Sequence, residues 1–317
     1  MVRTSPRTVP GWLRPLLAWF DSSAGVASEE PERIDWLRVV PFIAMHLACF
    51  ATLWVGASGV AIGLAAALYA LRMFAITAFY HRYLSHRAFK TSRPLQLVLA
   101  VLGASAVQRG PLWWAAHHRH HHAHADRPGD AHSPRQHGFW WSHMGWFLAR
   151  ANFPTKLHLV PDLARYRELA WLDRFDAAVP AALAAALYVA GTLLEKFAPA
   201  LETNGLELLV WGFAVSTVAV WHATFFVNSI AHTVGSRRFE TRDASRNNFA
   251  LALLTFGEGW HNNHHRYPAA ARQGLSWWEI DLTYYVLCGL AALGLVWDLR
   301  AAPRAVRADA RPQEDRA

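Results

Sequence analysis

The chain has 317 residues, with 31 Lys and Arg against 23 Asp and Glu and a formal net charge of +8. Charged residues make up 17% of it, well below the roughly 25% of an ordinary soluble domain, which argues against a soluble enzyme. Cys49 and Cys288 both lie in apolar runs, so a disulfide scaffold and a cysteine-based zinc site are excluded. The 18 histidines are the anomaly, because histidine can hold a metal without adding charge.

The chain begins with a segment, residues 1–34, that is rich in Arg and Pro and has no hydrophobic periodicity. Such a composition predicts a mobile basic segment. It contains no apolar stretch followed by a small-residue cleavage site, so we expect no secretory signal. The last residues, 301–317, have a similar composition and predict a disordered tail.

Four apolar segments are long enough to cross a bilayer, which takes about 20 residues. They cover residues 39–56, 59–80, 177–194 and 208–231. The first two are separated by a very short connection and predict a helical hairpin, and the last two predict a second one. Arg72, inside the second segment, is expected to pair within the bundle or to snorkel. The predicted class is therefore an all-α integral membrane bundle of four helices, formed by residues 35–300.

Two further apolar runs are too short to span a bilayer. Residues 95–108 predict an interfacial or re-entrant helix, and residues 282–297 predict a helix on or under the cytoplasmic face. Arginines are concentrated before the first span, between the second and third, and after the fourth. By the positive-inside rule, both termini and the long central segment are cytoplasmic. In a bacterium, the membrane would be the inner membrane.

The histidines cluster at the predicted cytoplasmic ends of the spans. The clusters are HRYLSH (81–86), HHRHHH (117–122), NSIAH (228–232) and HNNHH (261–265). The spacing i, i+3, i+4 places three imidazoles on one helical face, and it occurs twice, at His118/His121/His122 and at His261/His264/His265. His81 and His86 are five residues apart and would diverge on a regular helix, so we expect the second span to unwind near one of them.

These clusters predict a metal centre on a cytoplasmic helical cap. Nine histidines exceed the needs of one metal, so the number favours two, and neutral imidazoles suit Fe, Zn and Cu. A ferritin-like site would need two Glu-x-x-His motifs, and only Glu258/His261 has that spacing. The H-E-x-x-H motif of zinc proteases is absent.

The four histidine motifs, in this order and with these separations, resemble the membrane fatty acid desaturases of the acyl-CoA (stearoyl, delta-9) type. The resemblance covers roughly residues 35–300. It implies two Fe ions (Fe2+/Fe3+) bound by nine histidines, a water held by Asn228, and O2-dependent insertion of a cis double bond into a saturated acyl chain. The implied metal ligands are His81, His86, His118, His121, His122, His232, His261, His264 and His265.

The second motif can be placed in two frames, because HHRHHH contains HxxHH twice. In the family, Arg directly follows the first ligand, and here that pair is His118-Arg119. The resemblance therefore assigns His118, His121 and His122, and leaves His117, His120 and His124 as neighbours.

The same resemblance implies a substrate tunnel and a headgroup contact. Gln108, Trp114, Thr224 and Phe225 stand where the family shapes the tunnel, and Arg150 matches a basic headgroup contact. The acyl-CoA members have Arg-Asp directly before the second histidine motif, but this chain has Ala116-His117. An acyl chain on a phospholipid or on a carrier protein therefore remains an alternative to acyl-CoA as the substrate.

The sequence leaves the electron source and the reaction type open. The chain shows no haem or flavin domain, so we expect a separate ferredoxin- or cytochrome-type donor with its reductase, and no nucleic acid partner. A membrane hydroxylase would share the histidine motifs, and product mass would distinguish it. A non-catalytic metal binder or transporter would place ligands along the spans rather than at their ends, and is disfavoured.

Overall fold

The computed structural model of the chain describes residues 14–23 and 32–303, which are mostly helical. Most of the predicted N-terminal segment and nearly all of the predicted tail lie outside the described residues. One short helix, Arg14–Leu17, precedes the first long helix.

Four helices in the described part of the chain are long and apolar enough to cross a membrane. We call them spans 1 to 4; they cover Trp36–Val55, Gly59–Ser85, Ala178–Phe197 and Gly205–His232. Their most apolar windows are buried to very different extents, from 6% in span 1 to 56% in span 4. Span 4 is thus the central helix, whereas span 1 presents large apolar side chains such as Leu53 and Trp54 to the outside. An apolar surface of this kind suits lipid rather than water.

Polar side chains set the beginnings of three spans. The Asp35 carboxylate accepts from the backbone N–H of Arg38, the Ser58 hydroxyl from Ala61, and the Asn204 amide oxygen from Glu207. Each of these bonds satisfies an N–H group that has no partner inside its helix.

Spans 2 and 4 are not regular α-helices throughout. Span 2 is α-helical over Gly59–Phe74 and continues as a π-helix over Ala75–Ser85. Span 4 is α-helical over Gly205–Leu209, π-helical over Val210–Val215, α-helical over Ser216–Ser229 and ends in a 3₁₀ turn, Ile230–His232. π-Helical turns are rare and concentrate at functional sites.

Arg72 joins spans 2 and 4 in the interior. Its side chain is fully buried and donates to the carbonyl oxygens of Ser105 and Gly212 and to the hydroxyl groups of Ser216 and Thr217. Of the two expectations for Arg72, pairing within the bundle and snorkelling, the structure shows the first.

The remaining elements lie between and after the spans. The helices of six or more residues are Arg93–Ala104, Pro111–His124, Arg167–Arg174, Phe249–Leu254, His261–Arg266 and Leu282–Ala292. Shorter helices or turns are Pro134–His137, Trp141–Gly145, Trp146–Leu148, Arg150–Asn152, Leu157–Leu159, Pro161–Ala164 and Pro199–Leu201. The two short apolar runs of the sequence thus correspond to Arg93–Ala104 and Leu282–Ala292, both too short to count as spans.

The end of the described chain returns to span 2. Strands Lys90–Thr91 and Val296–Trp297 pair antiparallel, with Lys90 opposite Trp297. The hydroxyl groups of Thr77 and Thr283 lie 2.7 Å apart, which places the last helix against the π-helix. The main apolar core surrounds this π-helix and includes Phe79 and Leu84.

Candidate metal centre and adjoining cavity

The nine histidines expected as metal ligands lie in two compact groups. In each group one ring nitrogen per residue is within 4.8 Å of all the others. We call them the five-histidine group and the four-histidine group. The first contains His81, His86, His118, His122 and His264, and the second contains His121, His232, His261 and His265.

The π-helix explains how His81 and His86 join one group. In a π-helix the backbone hydrogen bonds connect residues five apart, and the N–H of His86 donates to the carbonyl of His81. Their rings are 4.9 Å apart. As expected, one of the two, His86, lies where the helix ends, since the last helical residue is Ser85. The sequence did not predict the π-helical turns before it, which place residues five apart on the same side.

Each HxxHH triplet serves both groups. On helix Pro111–His124, His118 and His122 enter the five-histidine group, while His121 enters the four-histidine group. On helix His261–Arg266, His264 enters the first group, and His261 and His265 enter the second. The two groups are therefore adjacent, because two short helices contribute to both of them.

The spacing of the ring nitrogens fits a central cation in each group. The Nε2 atom of His264 lies 3.0 Å from that of His81 and 2.9 Å from that of His122. The Nε2 atom of His261 lies 3.0 Å from those of both His232 and His265. One imidazole nitrogen cannot form two such hydrogen bonds, since it carries one proton or one lone pair. A cation between the nitrogens would account for their spacing, because metal–nitrogen distances in proteins are about 2.0–2.1 Å.

Carboxylates contact four of these rings at their Nδ1 nitrogens. Asp130 lies 3.1 Å from Nδ1 of His121, Asp126 2.9 Å from that of His232, and Asp243 2.9 Å from that of His265. Such a contact fixes the tautomer, so that Nε2 carries the free lone pair, and it raises ligand basicity. Three of the four carboxylates serve the four-histidine group, which is therefore the more negative environment.

Glu258 provides the fourth of these contacts. Its carboxylate lies 2.5 Å from Nδ1 of His81 and also binds Arg82, which in turn binds Asp281. Gly257 precedes it with φ of 126°, and a Cβ atom there would clash with Asp281. This position requires glycine because the backbone is left-handed and tightly packed. Glu258 thus orients a histidine, although the sequence singled it out only as half of a Glu-x-x-His motif.

Burial keeps most of the imidazoles neutral. It lowers the pKa of His118, His122, His261 and His264 well below the usual range, and the neighbouring histidines act in the same direction. For His121, burial acts to lower the pKa, but the carboxylate of Asp130 acts more strongly in the other direction. The pKa of His121 is therefore raised. Neutral imidazole is the form that binds metals, so the electrostatics agree with the geometry.

A small void of about 50 Å³ adjoins both groups. Its wall includes His81 and His118 from the five-histidine group and His121 and His261 from the four-histidine group, together with Asn228. A void of this size has room for a small molecule such as water or O2.

A larger cavity of about 340 Å³ shares part of this wall. Trp114, His118, Thr224 and Asn228 line both spaces, and most of the remaining wall is apolar. This size and character are typical of ligand cavities in proteins.

The tunnel residues expected from the resemblance all line the larger cavity. Gln108 donates to the hydroxyl group of Thr224 over 3.0 Å, and the Trp114 indole donates to Gln108 over 3.3 Å. Phe225 is also in the wall. The three polar side chains thus form one hydrogen-bonded unit next to His118.

Arg150, the expected headgroup contact, is not in the wall of either space. Its guanidinium pairs with Asp35 over 3.1 Å. Two other arginines, Arg38 and Arg109, line the larger cavity. No sequence motif distinguishes these two arginines, because their position in the wall depends on long-range packing.

Several histidines lie outside both groups. His117 contacts the carbonyl oxygen of Pro154, and His120 stacks on His124, so the second motif contributes the frame that begins at His118. His46 and His222, inside spans 1 and 4, contact each other through Nε2 atoms 3.0 Å apart.

Comparison with known proteins gives consistent matches. The fatty acid desaturase family model matches residues 58–292. The sn-2 palmitoyl-lipid 9-desaturase of Nostoc sp. (strain 36) is 38% identical over 292 residues, which cover 89% of this chain and 97% of that protein. The sn-1 stearoyl-lipid 9-desaturase of Anabaena variabilis is 35% identical, over 88% and 98% of the two chains. An acyl-CoA 5-desaturase of Anemone leveillei is 36% identical, over 89% and 87%.

Proposed function

Because the chain belongs to the fatty acid desaturase family and is therefore an oxidoreductase, we propose that it introduces a cis double bond into a saturated acyl chain. The reaction consumes O2, two electrons and two protons and yields the unsaturated chain and two waters. The main support is the pair of histidine groups beside an apolar cavity.

Two Fe ions are the proposed cofactor. The five-histidine group would hold one, and the four-histidine group would hold the other together with a water bound to Asn228. When bound, the irons supply the oxidising chemistry that removes two neighbouring hydrogens. The fit rests on two groups of imidazole nitrogens, each within 4.8 Å of one another, supported by carboxylates that contact four of the rings.

The contribution of the protein to catalysis is positioning. The apolar wall of the larger cavity would hold the acyl chain and exclude water, while the Gln108–Trp114–Thr224 unit fixes the wall beside His118. An error of about 1 Å in the position of the acyl chain would bring a different C–H bond next to the metal centre, and such an error can lower the rate about 100-fold.

The finer aspects of the substrate follow from relatives and from the sequence. We propose the delta-9 position, because two of the relatives named above are 9-desaturases. Acyl-CoA is the carrier that the stearoyl-type resemblance suggests, and an acyl lipid is the alternative that the names of the same two relatives support.

The proposed membrane arrangement is two helical hairpins under a cytoplasmic helical cap. Spans 1 and 2 are separated by residues 56–58 and spans 3 and 4 by residues 198–204. The histidines of the two groups lie near or after the other ends of spans 2 and 4. By the positive-inside rule, the arginine-rich loops support a cytoplasmic location of both termini and the metal centre. There a separate ferredoxin- or cytochrome-type protein, reduced by its reductase, would deliver electrons.

Expression in a host that makes saturated lipids tests the proposal. Gas chromatography–mass spectrometry of total fatty acids should show a new product two hydrogens lighter than its precursor. A product heavier by one oxygen would identify a hydroxylase instead. The His118→Ala variant should give no product, and the His120→Ala variant, which leaves both groups intact, should keep the activity. Equal activity of the two variants would contradict the proposed site.

A further inference from the structure

One part of the larger cavity wall carries nitrogen donors that have no acceptor. Nη1 and Nη2 of Arg38, Nε1 of Trp19 and Nε1 of Trp146 are buried, and none has a hydrogen-bond partner among the residues that the structure describes. All three residues line this cavity. Buried donors without acceptors are costly and are usually matched by a bound molecule or water.

Arg38 carries the charge of this region. Its guanidinium lies 4.6 Å from the ring centre of Phe153. The nearby carboxylate of Asp35 is used otherwise, since it caps span 1 and pairs with Arg150. Arg38 therefore stacks on Phe153 but forms no salt bridge with a carboxylate of the described residues.

Arg109, the second arginine in the wall, is already neutralised. It lies 3.2 Å from Asp176 and donates to the carbonyl oxygen of Phe153. Asp176 also lines the cavity. Among the charged residues of the described cavity wall, Arg38 is thus the one without a salt bridge.

We propose that this region binds the phosphodiester of an acyl glycerolipid whose acyl chain occupies the rest of the cavity. A phosphodiester has one negative charge and only acceptor oxygens, and a guanidinium can bind it through two parallel hydrogen bonds. The ester carbonyl oxygens of the lipid would supply acceptors for the indole N–H groups. We call this region the phosphodiester subsite.

The alternatives fit the subsite less well. An acyl-CoA carries several phosphate charges, whereas one free guanidinium stands here beside the carboxylate of Asp176. An uncharged headgroup would leave Arg38 without an anion. The location also suits a lipid, because Arg38 lies in the first turn of span 1 and tryptophan is enriched at membrane interfaces.

The inference rests on the proposed function, since it names the acyl carrier of that reaction. Steady-state kinetics of the iron-loaded enzyme test it with dipalmitoyl phosphatidylglycerol, an uncharged dipalmitoyl galactolipid and palmitoyl-CoA as substrates. For Arg38→Gln, we expect the KM for the phospholipid to rise about 10- to 100-fold and kcat to stay nearly unchanged, because the variant loses hydrogen bonds to a charged group. The KM for the galactolipid should stay the same.

Two variants separate the subsite from general effects. Arg38→Lys keeps the charge and should recover part of the phospholipid affinity. Arg33→Gln removes an exposed charge close to the beginning of span 1 and should change no kinetic constant. An equal change for phospholipid and galactolipid, or a change confined to palmitoyl-CoA, would overturn the proposal.

Native mass spectrometry of the iron-free protein provides a readout that is independent of turnover. The wild type should retain dipalmitoyl phosphatidylglycerol, and Arg38→Gln should lose it at the same protein concentration. If the wild type retains the lipid through Arg38 but the iron-loaded enzyme forms no unsaturated product, the desaturase function is refuted. The phosphodiester subsite is still supported in that case. Equal retention by both proteins would refute the subsite.

Discussion

Asp130 contacts the ring of His121, one of the proposed metal ligands, and fixes its orientation. It contacts Nδ1 of His121 and also accepts from the backbone of Asp126 and His132. Burial alone would raise the pKa of Asp130, but the nearby His121 and His132 lower it by more. The pKa of Asp130 therefore lies below the usual range. The group is thus held as a carboxylate.

For Asp130→Asn we expect iron to be bound about 10- to 100-fold more weakly, because the His121 ring loses its orienting partner. Competition with a chelator, followed by iron analysis, measures the effect. The control is Asp298→Asn, whose carboxylate pairs with Lys90 on the surface. Iron retention that is the same in both variants would show that Asp130 does not support the metal site.

Thr224 acts at the same scale on the substrate side. In Thr224→Val, Gln108 loses its acceptor and the wall next to His118 becomes less well fixed. We expect desaturation to slow by about 10- to 100-fold, with double bonds at more than one position in the product. Mass spectrometry of product derivatives locates them. The control is Thr192→Val, which removes a hydroxyl that donates to a carbonyl oxygen within span 3 and should leave the product pattern unchanged. A Thr224→Val variant that gives the wild-type product pattern would count against the proposed role of Thr224.

At the scale of elements, span 2 shows where a sequence pattern is ambiguous. The histidine spacing in HRYLSH indicated that a regular helix could not bring both rings together, and that reasoning was sound for 3.6 residues per turn. The π-helix was missed because no simple residue pattern distinguishes it from an α-helix. Tertiary contacts, such as that between Thr77 and Thr283, accompany the wider turn.

Arg72 connects the two irregular spans and gives a prediction for them. Arg72→Met leaves the buried carbonyl oxygen of Ser105 without its Arg72 donor, and such a loss costs about 1–3 kcal/mol. The carbonyl oxygen of Gly212 loses one donor and keeps the Ser216 hydroxyl. We expect a clearly lower thermal midpoint in detergent and a lower yield from membranes. Arg165→Met, which changes an exposed side chain, is the control. Equal midpoints for the two variants would mean that Arg72 is not needed to hold spans 2 and 4 together.

At the scale of the whole molecule, local patterns were sufficient to locate the spans and to single out the nine histidines that the structure gathers in two groups. Apolar length alone located four spans within a few residues of their observed bounds. The carboxylates were missed because their partners are distant in sequence: Asp126 contacts His232, and Asp243 contacts His265. The same holds for Arg38 and Arg109, whose place in the cavity wall depends on how span 1 packs.

Buried histidines also make the stability of the whole molecule depend on pH. Burial lowers the pKa of His120 to about 4, of His132 to about 3 and of His143 to about 4. Between the unfolded pKa of about 6.5 and these values, the unfolded chain binds protons that the folded chain does not. Stability is therefore greatest above pH 6.5 and falls as the pH falls toward 4.

We expect the thermal midpoint of the iron-free protein to fall by several degrees between pH 7.5 and pH 5. Scanning fluorimetry in one detergent at constant ionic strength measures it. A midpoint that does not change over this range would mean that these histidines become protonated in the folded protein.

The central claim is that two histidine groups each hold one iron. The most direct measurement is the iron content of purified protein after anaerobic reconstitution and removal of loosely bound metal, with the protein concentration taken from amino acid analysis. The account predicts two iron atoms per chain. A value of one or less, in protein that remains folded, would contradict it.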